Sequence, residues 1–101
     1  MTHPISGIDE IVHQRVRLGI LAVLAEADRV EFTYLRDRLE VTDGNLNRHL
    51  QVLSDAGFVK TEKRQSGRSR TWIRATRPGR EALASHLRTL QQIIDGTKEK
   101  T

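Results

Sequence analysis

The segment from Thr42 to Val59, TDGNLNRHLQVLSDAGFV, constrains the fold of this chain more than any other part of the sequence. Leu46, Leu50 and Leu53 recur at helical spacing, which predicts a helix with one buried face. The opposite face carries Gly, Asn, Arg and Gln, and the helix begins with residues of low helix propensity. Such a helix depends on packing of its leucine face, so its polar face is left free for a partner.

The flanking segments place this helix in a definite order of elements. The predicted elements are a first helix (8–27), a helix-turn-helix (33–56), a hairpin (58–75) and a C-terminal helix (76–95). Thr33 and Thr42 are expected to cap the two helices of the helix-turn-helix, and Gly57 to end the second. Two β-prone runs joined by a short loop with Gly67 predict the hairpin. Residues 1–101 are therefore predicted to form one winged-helix domain of the α+β class, mainly α, with the hairpin as the wing.

Positive charge is concentrated on and just after the predicted hairpin. Between Lys60 and Arg80 the chain has eight basic residues and one acidic residue, whereas the remainder has nine basic and twelve acidic residues. A cationic segment beside an acidic remainder is typical of a surface that binds a polyanion. A solvated basic face without a partner is the alternative.

The polar face of the helix after Thr42 carries the side chains that read bases in the major groove of DNA. Asn and Gln bond bidentately to adenine and Arg to guanine, and Gly44 permits close approach. Asp43 is expected to stabilise the positively polarised start of the helix. A hydrogen bond from the amino group of a cytosine is the less favoured alternative. For Thr33, capping of the helix explains the residue at least as well as contact with a phosphate.

The wing supplies cations for DNA phosphates, and Arg68 is the best candidate to enter a minor groove. Because side chains alternate along strands, three of the four wing cations are expected to touch DNA. The predicted DNA-binding residues are Thr33, Thr42, Asp43, Gly44, Asn45, Asn47, Arg48, Gln51, Lys63, Arg64, Arg68 and Arg70.

The two terminal helices predict a homodimer. The last helix has an apolar seam with spacings of four, three and four residues, and the first helix is apolar over much of its girth. Folding of the last helix on its own domain is the alternative, but pairing with the first helix of a second subunit accounts for both surfaces. The predicted interface residues are Ile8, Ile11, Val12, Leu83, Leu87, Leu90 and Ile94. A two-fold dimer would place two recognition helices about one turn apart on a pseudo-palindromic site in double-stranded DNA.

The fragments RLGILAVL, FTYLRDRL, TDGNLNRHLQVLSDAGFV and RPGREAL resemble winged-helix transcriptional regulators of the broad MarR and ArsR type, in particular a small stand-alone group with a TDGNL-type recognition helix. The similarity runs from about His13 to Leu90. It implies a bacterial or archaeal dimeric repressor whose first and last helices form the interface. On this resemblance, the residues that face DNA are Asn45, Asn47, Arg48 and Gln51. The chain has no cysteine, which excludes the cysteine-based metal sensing of some relatives.

Other functions find less support in the sequence. No P-loop, nucleophile elbow or usefully placed carboxylate pair is present, so no enzyme is predicted. No two histidines lie three or four residues apart, so neither a metal site nor a cofactor is predicted. Without a membrane-length apolar run or a secretory pattern, a cytoplasmic protein with no membrane partner is expected. A winged-helix module that binds protein or RNA is the alternative function, and a small-molecule effector is neither specified nor excluded.

Overall fold

The computed structural model describes residues 2–64 and 69–98. Its α-helices are α1 (Glu10–His13), α2 (Arg15–Ala25), α3 (Phe32–Leu39), α4 (Asp43–Asp55) and α5 (Arg77–Lys98), and Pro4–Gly7 form a 3-10 turn, η1. The strands are β1 (Val30–Glu31), β2 (Val59–Arg64) and β3 (Arg70–Ala75), which pair antiparallel in the order β1-β3-β2. The predicted α+β, mainly α, winged-helix fold is confirmed.

The core lies where α2, α3 and α4 meet the sheet. Its fully buried members are Val12, Ile20, Leu21, Leu24, Leu35, Leu46, Leu53 and Ile73. The leucine face of α4 is buried as predicted, and full burial of a leucine contributes about 1.5–3 kcal/mol. This exceeds the propensity penalty of about 1 kcal/mol for Gly44. Packing therefore holds a helix that its own residues would not stabilise.

The N-terminal helix is interrupted, so the single helix predicted over residues 8–27 is wrong. Gln14 has an extended backbone, with φ −63° and ψ 135°, between α1 and α2. Asp9 caps α1, and the Gln14 side chain accepts a hydrogen bond from Arg17 N at 2.9 Å. Arg17 Nε in turn donates to Ile11 O at 2.6 Å, so a side chain reconnects the two helices. The apolar pattern of the sequence does not reveal this break, because the apolar residues of α1 and α2 both face the core.

The turn between α3 and α4 is compact. Glu40 ends α3 in the left-handed region, with φ 55°, and Thr42 Oγ1 accepts from Asn45 N at 3.1 Å. Capping of α4 by Thr42 is thus confirmed. Thr33 does not cap α3, contrary to prediction, because β1 leads directly into the helix and Glu31 occupies the cap position.

The start of α5 is clamped onto the turn between α4 and β2. Gly57 has φ 81°, the left-handed conformation that glycine adopts without strain. Thr76 Oγ1 donates to Gly57 O at 2.6 Å and accepts from Gly79 N at 3.1 Å. The backbone of Gly79 lies directly against Phe58 O, where a Cβ would stand 2.1 Å from that oxygen. This contact sets the rotation of α5 about its axis.

The orientation of α5 shows that part of the predicted dimer interface is wrong. Its buried residues are Gly79, Leu83, His86 and Thr89. Leu83 and Val12 lie in the core of the protomer, at 7% and 0% exposure, and are not available to a partner. Leu87 and Ile94 remain 50% and 45% exposed. Of the predicted seam, Leu87 and Ile94 are the well-exposed members.

Within residues 2–64 and 69–98, no helix has both the length and the apolar character that a membrane crossing requires.

Candidate nucleic-acid interface

Helix α4 separates its side chains as the sequence predicts. The buried residues are Leu46, His49, Leu50 and Leu53. Asp43, Gly44, Asn47, Arg48 and Gln51 are exposed, Asn45 is half-buried, and Thr42 is exposed at the cap. The residues of α4 that were predicted to read bases therefore form one accessible surface on a single helix.

His49 holds α4 against the N-terminal helices. Arg17 Nη1 lies 3.1 Å from His49 Nδ1, and His49 is 6% exposed. Burial, followed by the charges of Arg17 and Arg48, lowers the pKa of His49. A neutral imidazole with a bare Nδ1 accepts from the guanidinium, so His49 has a structural, hydrogen-bonded role.

The base-reading candidates are positioned by bonds within α4. Arg48 Nη2 donates to Asn45 Oδ1 at 2.9 Å, and Gln51 Nε2 donates to Asp55 Oδ1 at 2.8 Å. These are exposed contacts between side chains one helical turn apart, which contribute only tenths of a kcal/mol each. These bonds hold the donors along the exposed face of the helix and are weak enough to be exchanged for bonds to base edges.

Asp43 forms an ion pair with a cation of the preceding helix. Arg36 Nη1 lies 3.0 Å from Asp43 Oδ1, and Arg36 Nε lies 2.9 Å from Asp37 Oδ1. Hydrogen bonds to Asp37 and then Asp43 raise the pKa of Arg36 above its ordinary value. The ion pair reduces the repulsion between Asp43 and a phosphate. It also joins the start of α4 to the end of α3.

The wing places Lys63 beside the reading face. Thr61 and Lys63 lie on the same side of β2 as buried Val59, because side chains alternate along a strand. Asn47, Gln51 and Lys63 line one groove between α4 and the hairpin, with a volume of about 420 Å³. This groove brings predicted base-reading and phosphate-binding residues together.

Arg64 and Arg70 face each other across the hairpin, where β2 and β3 are paired. Like charges at directly opposed positions oppose strand pairing. Arg70 Nη1 is partly compensated by Glu31 Oε1 at 3.4 Å. Among the described residues, Lys63 and Arg64 have no carboxylate within ion-pair distance. This excess of positive charge is available to a polyanion.

Thr33 and Arg68 are the other two residues predicted to bind DNA. Thr33 is exposed and lines a small cleft with Ser69 and Arg70, on the first turn of α3. Arg68 lies outside the described residues.

Three polar groove residues are absent from the predicted DNA-binding set. Ser54, Thr61 and Thr71 line the groove together with Asn47, Gln51 and Lys63. The positions of Thr61 and Thr71 follow from strand alternation once Val59 and Ile73 are taken as core. Ser54 lies three residues after Gln51 and was identifiable from helical spacing.

Gly44 is not required by the packing of the protein, since a Cβ there would meet nothing within 4 Å. We expect Gly44→Ala to leave stability unchanged or raise it by up to about 1 kcal/mol, because alanine favours a helix. The same methyl group should weaken DNA binding by obstructing close approach to the duplex. Urea unfolding and fluorescence anisotropy with duplex DNA measure the two effects. Unchanged affinity would remove Gly44 from the interface.

A helix-turn-helix whose second helix presents a polar face beside a basic hairpin defines a winged-helix DNA-binding domain. The chain belongs to this family: the family model described as winged helix DNA-binding domain matches residues 16–94.

An uncharacterised protein of Methanocaldococcus jannaschii is 40% identical over 85 residues, which covers 83% of this chain and 92% of that protein. The structure of a transcriptional regulator homologue from Pyrococcus horikoshii OT3 has 34% identity and a TM-score of 0.91, covering 95% of this chain and 98% of the other. The protein ytfH of Salmonella typhimurium shares the fold at 20% identity, with a TM-score of 0.72 and coverage of 89% of this chain and 80% of the other. The protein is a DNA-binding transcription regulator.

Proposed function

We propose that the protein is a homodimeric repressor that binds a pseudo-palindromic operator in double-stranded DNA. Helix α4 enters the major groove, and Asn45, Asn47, Arg48 and Gln51 contact base edges. Lys63 and Arg64 contact the flanking backbone. Repression is proposed from the resemblance to dimeric repressors, and a cytoplasmic location from the same resemblance.

The observation that carries this proposal is the groove between α4 and the hairpin. Amide side chains on one wall and Lys63 on the other match a base edge and the neighbouring phosphate of a duplex. The open space around Gly44 lies on the same helix. A solvated surface without a partner would not need like charges at Arg64 and Arg70 directly opposite each other.

Dimerisation is supported by the unpaired surface of α5 and η1. Leu87, Ile94 and Ile5 are large apolar residues with 50%, 45% and 63% exposure. The radius of gyration is 15.6 Å, whereas a compact domain of about 100 residues has about 13 Å. The molecule is elongated, with principal extents of 58 × 24 × 21 Å. A second subunit that packs on α5 would bury the exposed side chains and restore a compact particle.

Selection of bound fragments from random duplex DNA tests the proposed operator recognition. We expect a palindromic motif with half-sites about 34–36 Å apart along the helix axis. Affinity should fall steeply with added salt because phosphate contacts release counterions. Failure to enrich a motif, with binding that is insensitive to salt, would contradict the proposal. Tighter binding to single-stranded RNA than to duplex DNA would favour the alternative of an RNA-binding module.

Substitution of Leu87 and Ile94 by Gln tests the proposed dimer without removing core residues. Truncation of α5 is less informative, because it also deletes buried Leu83 and His86. We expect the double variant to raise the dimer dissociation constant at least about tenfold, since burial of each such side chain contributes roughly 1.5–3 kcal/mol. Sedimentation velocity measures the change, with the exposed Arg88→Gln as control. A double variant that dimerises like the unmodified protein would remove this face from the interface.

A further inference from the structure

Two histidines that are 73 residues apart in the chain meet between α1 and α5. His13 Nδ1 lies 3.2 Å from His86 Nε2, and the two rings are arranged edge to face with centroids 5.2 Å apart. His13 is exposed, whereas His86 is 1% exposed. His86 Nδ1 is buried and has no hydrogen-bond partner among the described residues.

The unpartnered nitrogen decides which tautomer the pair adopts. If His86 Nδ1 carried the proton, a buried N–H donor would have no acceptor, which costs about 1–3 kcal/mol. With the proton on His86 Nε2, that nitrogen donates to His13 Nδ1 and the buried Nδ1 is bare. In this arrangement the contact joins two neutral imidazoles and leaves no buried N–H without an acceptor. A second proton on His86 would bind to the buried Nδ1, where it has no acceptor. A proton on His13 Nδ1 would point at the N–H of His86 Nε2 and repel it.

The same nitrogen argues against a metal ion between the two rings. An imidazole that binds a metal through Nε2 carries a proton on Nδ1, and this N–H normally donates to an oxygen. His86 Nδ1 has no such partner. No group of three or more potential metal ligands occurs within the described ranges.

We propose that the His13–His86 pair is a proton-sensitive latch, which holds the N-terminal arm (residues 4–13) on α5 while both imidazoles are neutral and releases it on acidification. The arm has few other polar ties to α5. Thr89 Oγ1 donates to Gly7 O at 3.5 Å, a long hydrogen bond. Gln14 interrupts the helix between the arm and α2, although Arg17 Nε bonds Ile11 O across this break. Release of the arm also exposes Val12, which is 0% exposed when the arm is docked, so the latch acts in addition to this apolar contact. The latch does not depend on the proposed operator recognition.

The charged and titratable groups around His86 come mainly from α1. Burial lowers the pKa of His86, the charge of His13 lowers it further, and Asp9 at the start of α1 acts in the opposite direction. On η1, exposed His3 is engaged with Ile5 N. On α2, Arg17 is directed at Ile11 O and His49.

The sign of the effect follows from the lowered pKa of His86. The neutral form is favoured in the docked arm, so docking is fully stabilised above the ordinary pKa of 6.5. The stabilisation is lost as the pH falls from that value towards the lower pKa of the docked state. His49 shifts in the same direction, so global acid unfolding alone does not isolate the latch.

Amide hydrogen exchange of the full chain tests the latch locally. The probe is His13 N–H, which donates to Asp9 O at 2.7 Å in α1, and the reference is Thr76 N–H, which donates to Phe58 O at 3.0 Å. After correction for intrinsic exchange, we expect protection of the probe relative to the reference to fall up to about eightfold from pH 7 to pH 5.5. The substitution His86→Gln should remove this dependence, because glutamine takes up no proton. A probe that does not respond to pH, or a response that persists in the variant, would overturn the latch.

Two further measurements keep the test decisive if His86→Gln does not fold. In the unmodified protein, the ring signals of His86 should titrate below the ordinary histidine pKa, in the same pH range as the loss of protection. Titration at or above that value would exclude the latch. Addition of Zn²⁺ at pH 7 should leave the exchange of His13 N–H unchanged. An increase in its protection would identify a metal site and overturn the latch.

Discussion

The substitution Gly79→Ala should destabilise the protein by about 3 kcal/mol or more, at the upper end of the range for overpacking. The added Cβ would stand 2.1 Å from Phe58 O, and neither backbone can retreat easily. Phe58 O also accepts from Thr76 N at 3.0 Å, and Thr76 is tied to Gly57. Relief of the clash requires α5 to move away from the turn between α4 and β2. Chemical unfolding monitored by circular dichroism measures the loss, which corresponds to a fall in melting temperature of at least about 12 °C.

Gly96→Ala is the matched control, since Gly96 lies on the same helix and a Cβ there would meet nothing within 4 Å. Alanine should leave the protein as stable as before or slightly more stable, because it favours the helix. Equal effects at the two positions would show that helix propensity, and not the contact with Phe58, governs the response. Gly79→Ala at full stability would contradict the close packing of α5.

Replacement of Arg48 by alanine should relax sequence preference on the selected operator. A bidentate contact of arginine with guanine contributes about 1–3 kcal/mol of discrimination. The loss should therefore be roughly fivefold to 150-fold on the preferred sequence and small on unrelated duplexes. Arg48 is exposed and bonded to Asn45 at 2.9 Å, so its removal leaves the core of α4 intact. Fluorescence anisotropy with the operator and its single-base variants measures the preference.

Lys63→Ala is the comparison for Arg48→Ala, because Lys63 lies across the groove on the wing. A phosphate contact carries no sequence information, so this variant should weaken binding to all duplexes by a similar factor. It should also reduce the dependence of log K on log salt by about one. Equal losses on every sequence for Arg48→Ala would remove Arg48 from base reading. A selective loss for Lys63→Ala would assign base contact to the wing.

The His49–Arg17 contact relates the recognition surface to the N-terminal helices. Arg17 bridges the break at Gln14 through Ile11 O and reaches His49 on the inner face of α4. Protonation of His49 at acidic pH would break its contact with Arg17, because two cations would then face each other. The pKa of His49 is lowered, so the stabilising contact is present above the ordinary histidine value and is lost at lower pH.

The sequence by itself determined the order of elements and the two faces of α4. Leu46, Leu50 and Leu53 specify the buried side through spacing alone, and Thr42 specifies the cap through its hydroxyl. These are local properties, for which a few neighbouring residues are sufficient. The excess of cations on the hairpin is likewise visible in the sequence.

Only the tertiary structure decided which residues meet across the chain. The rotation of α5 depends on the approach of Gly79 to Phe58 O, which places Leu83 in the core and leaves Leu87 exposed. The pairing of His13 with His86 and of Arg36 with Asp43 depends on how the helices dock. The break at Gln14 also escapes the apolar pattern, since both pieces keep the same face inward. Periodicity specifies the face of a helix, whereas the contacts between helices depend on backbone distances that no local pattern contains.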